Sequence, residues 1–226
     1  MTRNASARIA GFTYLFYIAV AFPAMVLVDK ATAGEGMPAR LASVAQHTTE
    51  MRVSIVLGLL SVFSALVLAV TLYGVTRDED HELAMFGLVC RVGEGVAGSI
   101  PVTTAGLLWL ATTTGPNAPD PAGANAIGAF LLRTGAWQTS TSATLFAVGS
   151  TAFCSLLLRG RMIPVPLAWL GVFGSALVAV GVPMALTGTL SGPAAQLQWI
   201  PIALFELTVA VWFLIKGVPP LRRQSA

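Results

Sequence analysis

Arg91 and Glu94 stand three residues apart inside an apolar run, GLVCRVGEGVAGSIP (87–101). A third ionisable group, Glu206, sits in the middle of another apolar run near the C-terminal end. Positions i and i+3 of a helix share a face, so Arg91 and Glu94 can pair. Followed at helical spacing, their stripe reads Gly87, Arg91, Glu94, Gly98, Pro101. Leu88, Val89, Val92, Val96 and Ile100 fall on the neighbouring faces, which suit lipid or packed helices. Small residues let another backbone approach, and charges among apolar residues need a partner, water or a use. A carboxyl kept neutral by burial can act as an acid, and a buried guanidinium supplies charge to a ligand. Gln138, Thr141 and Ser142 offer hydrogen-bonding groups from a further apolar stretch. The ligand-binding set expected from the sequence is therefore Arg91, Glu94, Glu206, Gln138, Thr141 and Ser142, with no catalytic residue assigned.

The elements that must position these groups follow from composition and run length. Of 226 residues, 55% are hydrophobic and only 10% charged, with a mean hydropathy of +0.77. A soluble domain carries about a quarter charged residues. The expected fold is all-α: one polytopic integral membrane bundle of six transmembrane helices, at about 9–28, 53–75, 83–110, 136–158, 166–186 and 198–215. The first run follows Arg3 and Arg8, and Ala31-Thr32-Ala33 resembles a signal cleavage site. Its length, Pro23 and the aromatics Phe12, Tyr14, Phe16, Tyr17 and Phe22 suit a retained helix. After Met37-Pro38 a short surface helix is expected, with Arg40 and Glu50 outward. The second span carries Ser54, Ser61, Ser64 and Thr71, able to bond across helices or to their own backbone. Pro101 should kink the third span. The stretch 126–158 is too long for one crossing, rising roughly 50 Å as a helix. Its first part, 126–135, reads as an interfacial lead-in. Beyond it Trp137, Thr141, Thr144, Thr151 and Ser155 share a face, with Gln138 beside it. Arg159-Gly160-Arg161 breaks the chain, Gly171 and Gly174 are small packing positions in the fifth span, and 187–196 is a polar turn. Pro219-Pro220 stops the last helix.

Six spans put both ends on one side, with Arg3, Arg8, Arg77, Arg159, Arg161, Lys216, Arg222 and Arg223. Lys30, Arg40, Arg52 and Arg133 fall on the other. The positive-inside rule then places both termini in the cytoplasm and the chain in the cell (cytoplasmic) membrane. Trp109, Trp137 and Trp199 at outer ends, with Trp169 and Trp212 at inner ends, read as two aromatic belts.

Several chemistries find no support. Cys90 and Cys154 both fall inside spans, which argues for free thiols rather than a disulfide framework. His47 has no partner at metal-ligand spacing. The run RDEDHE (77–82) fits no calcium loop and reads as a solvated turn. No metal and no cofactor are expected. No basic cluster is interleaved with aromatics, so nucleic acid is not an expected partner. Membrane lipids and a small lipophilic ligand are, and a homo-oligomer is compatible with the glycine faces.

Depth brings the ionisable groups together. Arg91 lies about 12 Å inside the cytoplasmic end of its span, Glu94 some 4 to 5 Å deeper, and Glu206 about 15 Å from the same end. Each costs roughly 2.5 to 3.5 kcal/mol at a helix centre, hence about 8 to 10 kcal/mol for three unpaired groups. Arg91 is therefore expected to bridge Glu94 or Glu206, the remaining carboxyl being protonated or bonded to Gln138, Thr141 or Ser142.

RVGEG (91–95), IPVPLAWLGVFG (163–174) and PIALFELTVAVWFLIKG (201–217), in that order, resemble the bacterial membrane family DUF4386, a domain of unknown function. The likeness extends over nearly the whole chain. It implies a six-helix membrane protein and no established activity. Four functions remain compatible with the residues. The first is a membrane binding or sensing protein with a polar pocket for a small lipophilic or anionic ligand. The second is an intramembrane enzyme acting on a lipid or isoprenoid by acid catalysis. A proton-coupled transporter and a structural membrane subunit complete the set.

Overall fold

The computed structural model describes residues 2–98, 102–116 and 118–219. Nine helices and no strand occur among them: α1 Arg3–Ala31, α2 Gly36–Gln46, α3 Thr48–Thr76, α4 His81–Gly98, α5 Val102–Thr112, α6 Pro121–Arg159, α7 Val165–Leu186, α8 Pro193–Leu197 and α9 Ile200–Ile215. Six helical segments are long and apolar enough to cross a membrane, α4 with α5 forming one and α8 with α9 another. The protein is thus an all-α, multi-pass bundle. Ile100 and Pro101, with the kink expected there, lie outside the described residues, as do Pro220, Arg222 and Arg223.

Local chemistry sets the helix ends. Asp120 caps α6, its carboxylate accepting from the Gly123 N–H at 2.6 Å, and Pro121 follows at the first helical position, where no N–H is needed. From there α6 runs unbroken for 39 residues, about 58 Å. The stretch 126–135 is therefore part of one long helix rather than a separate lead-in. The acidic run after α3 also resolves structurally. Asp80 caps α4 through the Leu83 N–H at 3.0 Å and faces Arg159, at the end of α6, at 3.6 Å. A carboxylate at one helix N-terminus and a cation at another's C-terminus both oppose the local dipole charge.

The six spans close into a ring. Each packs on the next, α1 on α3, α3 on α4, α4 on α6, α6 on α7 and α7 on α9, and α9 returns to α1. Closure is tight. A Cβ on Gly11 of α1 would lie 2.7 Å from the Ala210 carbonyl oxygen of α9, so only glycine permits this approach. In α7, Gly171 would meet the Phe205 ring at 2.6 Å and Gly174 the Ile202 nitrogen at 2.8 Å. The chain ends meet as well: the Val218 N–H reaches the Asn4 side-chain oxygen at 3.4 Å, across Gly217 at a φ of 66°. The start of α1 and the end of α9 therefore lie at one end of the bundle.

The two halves of the ring differ. Near the termini the interior is filled by Ala10 and Tyr14 of α1, Leu68 and Leu72 of α3, Phe153 and Leu157 of α6, and Val209 and Phe213 of α9, all buried. At the other end α2 and α5 lean on α6, where Ala31, Val44, Met51 and Leu107 form a separate small core. The surface helix expected after Met37-Pro38 is α2, with Arg40 exposed. Glu50 is instead half-buried in α3 and pairs with Lys30 at 3.8 Å. Ser54, Ser61, Ser64 and Thr71 of α3 all donate to carbonyls of their own helix.

The ring closure can be tested at two glycines of opposite surroundings. Gly11→Ala should lower stability by about 1–3 kcal/mol, because backbone atoms cannot yield. Gly58→Ala, with nothing within 4 Å of the new carbon, should leave stability unchanged or slightly raised. Thermal unfolding of the two variants in the same detergent reads the difference.

Candidate functional site

Arg91 and Glu94 are placed by the small residues around them. Gly149 of α6 comes so close that a Cβ there would lie 3.0 Å from the Arg91 Cγ and 3.1 Å from the Gly87 carbonyl oxygen. Gly87 in turn receives the Phe153 ring, 3.1 Å from where its Cβ would be. On the same stripe, a Cβ on Gly98 would collide with the Ser142 hydroxyl. The opposite face of α4 is exposed at Val89 and Val96, as an apolar face toward lipid should be. The polar stripe of α4 therefore faces inward as its spacing implied.

Arg91 is 1% exposed and Glu94 is 5% exposed, so the pair has left solvent. The Arg91 Nη1 lies 2.9 Å from Glu94 Oε2, as an ion pair rather than an aligned hydrogen bond. The guanidinium carbon also sits 4.7 Å from the Phe146 ring centre, a contact worth about 2 kcal/mol when desolvated. Nε and Nη2 of Arg91 find no hydrogen-bond acceptor among the described residues. Tyr14, Tyr17 and Glu206 lie within electrostatic reach of the guanidinium. Of the two bridges open to Arg91, the one formed is to Glu94.

Glu206 stands differently. It makes no ion pair and accepts no hydrogen bond among the described residues. Its carboxyl lies on the wall of a cavity of about 280 Å³ between α1, α4, α6 and α9. Glu94, Tyr17, Ser142, Phe146 and Trp199 share that wall. Two further open spaces adjoin it. One of about 360 Å³ shares Tyr17, Glu94, Thr139 and Ser142 and reaches Gly58 and Ser61. Another of about 400 Å³ shares Met25, Gly58, Gly98 and Thr139 and continues to Asp29 and Ser54. The spaces thus run away from the packed half toward the end opposite the termini.

The other expected residues divide. Ser142 lines the cavity, and its hydroxyl donates to the Glu94 backbone carbonyl at 3.1 Å. Gln138 donates to the Ala97 carbonyl at 2.6 Å and lines the outermost space. Thr141 is exposed and off the cavity wall, its hydroxyl turned to the Trp137 carbonyl of its own helix. The reason is angular: Thr141 is one residue, about 100°, round the helix from Ser142. The expected hydroxyl bonds from Thr141 and Ser142 to the second carboxyl are therefore replaced by bonds to backbone carbonyls. Further along that face, Thr151 bonds Ser175 of α7 at 2.9 Å, so it serves helix packing.

Seven wall residues escaped the sequence reading, Tyr17, Thr139, Phe146 and Trp199 among them. Two of them carried a usable signal. Phe146 lies four positions after Ser142, and Trp199 seven before Glu206, each on its partner's helix face. Trp199 was read as part of an aromatic belt; it also stacks on Phe146 with ring centres 6.4 Å apart. Cys90 and Cys154 are both free and buried.

These features define a class: a six-span membrane bundle, sealed in one half, with carboxyl-bearing space in the other. Within that class the chain belongs to the DUF4386 family, a domain of unknown function, whose model matches residues 9–217. No curated protein and no solved structure matches it.

The geometry makes a labelling prediction. Cysteines placed at Thr139 and Ser142 should react with a small, charged thiol reagent in the native protein, while Cys90 and Cys154 react only after unfolding. Mass spectrometry after timed labelling reads both.

Proposed function

We propose that this protein is an intramembrane binding protein whose pocket takes a small lipophilic ligand with a polar end. The observation that carries this reading is the Glu206 carboxyl, unpaired on the wall of an apolar-aromatic cavity. An ionisable group held inside a membrane bundle defaults to function because its insertion is costly. The wall has the usual composition of a ligand site, mostly apolar and aromatic with a few convergent polar groups. Glu94 shares the wall, while Arg91 supports it from behind, its guanidinium off the wall. That arrangement favours the lipophilic ligand over an anionic one.

The ligand enters from the end opposite the termini, where the adjoining spaces lead. Arg3, Arg8, Arg77, Arg159, Arg161 and Lys216 gather toward the terminal end, against Lys30, Arg40, Arg52 and Arg133 at the other. By the positive-inside rule the termini are cytoplasmic, and the pocket opens away from the cytoplasm in the cell membrane.

A second reading rests on the same carboxyl. An acid without a cationic partner, in a cavity large enough for a reacting group, could protonate an isoprenoid or lipid. A product formed by purified protein and lost in Glu206→Gln would move the assignment to an enzyme.

Binding is tested by thermal stability of purified protein against a panel of small amphiphiles. At least one should raise the unfolding temperature by several degrees, as expected when ligand exceeds its Kd by about a hundredfold. Ala203→Phe, which puts a ring into the cavity from an exposed position on its wall, should abolish that rise. A panel without response, or a rise that survives the filled cavity, counts against the pocket.

A further inference from the structure

We infer that the polar end of the ligand is a protonated amine held by Glu206. The inference rests on the pocket reading above and adds its charge. Inside the bundle the charges do not balance. Arg91 is taken by Glu94 at 2.9 Å, which leaves Glu206 as the one acidic group facing the cavity without an ion-pair partner among the described residues. The nearest cation along its own helix, Lys216, is ten positions on, about 15 Å away.

The rest of the wall selects the same sign. Tyr17, Phe146 and Trp199 present aromatic rings to the cavity, and ring faces attract cations. One ring already does so within the protein, as Phe146 carries the Arg91 guanidinium at 4.7 Å. An anionic end would meet two carboxyls first, with Arg91 buried behind the wall. Beside a neutral end the Glu206 carboxyl must either stay protonated or carry an uncompensated charge in an apolar space. An ammonium supplies the missing charge and donates to the carboxylate. The adjoining space, lined by Ala21, Ala24, Met25 and Val62, takes the apolar remainder of the molecule.

Three probes of equal chain length separate the possibilities: hexylamine, hexanol and hexanoate. Their affinities are read from tryptophan fluorescence of the full chain in lipid nanodiscs, against empty discs. Hexylamine should bind at least about tenfold more tightly than either other probe, the range of one charge-assisted hydrogen bond. Glu206→Gln should weaken hexylamine about 10- to 100-fold and leave hexanol unchanged. Glu206→Asp should retain the preference for the amine. Equal or tighter binding of hexanol or hexanoate overturns the inference, as does a hexylamine affinity indifferent to Glu206→Gln. In those cases loss of binding in Ala203→Phe shows that the pocket itself stands. Binding of none of the three overturns the inference, and the wider amphiphile panel then decides the pocket separately.

Discussion

A guanidinium withdrawn from solvent inside a membrane bundle is the constraint on which the rest of this structure depends. Removing one member of such a pair costs about 3–5 kcal/mol, because the other charge stays buried and uncompensated. Arg91 therefore needs its carboxylate at a fixed distance, and α4 supplies it one turn on, at Glu94. It also needs room for a long side chain between tightly packed helices. Gly149 gives that room on α6, and Gly87 lets the Phe153 ring in beside it. Phe146 then closes over the cation. The register of α4 against α6 follows from these few residues, since sliding either helix by one position would replace a glycine with a side chain.

The pair also divides the interior. On the terminal side of it the ring is filled by aromatic and branched residues from α1, α3, α6 and α9. On the other side the helices separate, α6 continues toward α2 and α5, and open space remains among α1, α3, α4 and α6. Glu206 stands on the boundary between the two halves. A carboxyl in that place is too enclosed to be fully hydrated and too open to be a packing residue. This intermediate environment is the basis of the ligand-binding role proposed for it.

Much of this was legible in the sequence because membranes impose simple rules. Span number, the inward stripe of α4 and the existence of α2 follow from run length, three-residue spacing and one proline. The glycines at 171 and 174 announced close packing, which they provide. What stayed hidden depends on which helix faces which. Nothing in the spacing of Arg91 says whether Glu94 or Glu206 is nearer, since the choice is made by the closing of α9 on α1. Thr141 and Ser142 are adjacent in sequence yet point in different directions, and only the rotation of α6 decides which one meets the cavity. Trp199 looked like a membrane anchor by position, and its stacking on Phe146 needs two helices at once. RDEDHE reads as a solvated turn by composition, whereas Asp80 is spent on a helix cap and an ion pair.

The central claim is that Arg91 and Glu94 neutralise each other and leave Glu206 to the cavity. A double-mutant cycle in unfolding free energy measures this directly, using Arg91→Met, Glu94→Gln and Glu206→Gln in detergent. Arg91 and Glu94 should show a coupling of about 2 kcal/mol or more, the double variant being less damaged than the sum of the singles. Arg91 and Glu206 should couple by less than about half that amount. Additive effects at Arg91 and Glu94, or a stronger coupling of Arg91 to Glu206, would contradict the account.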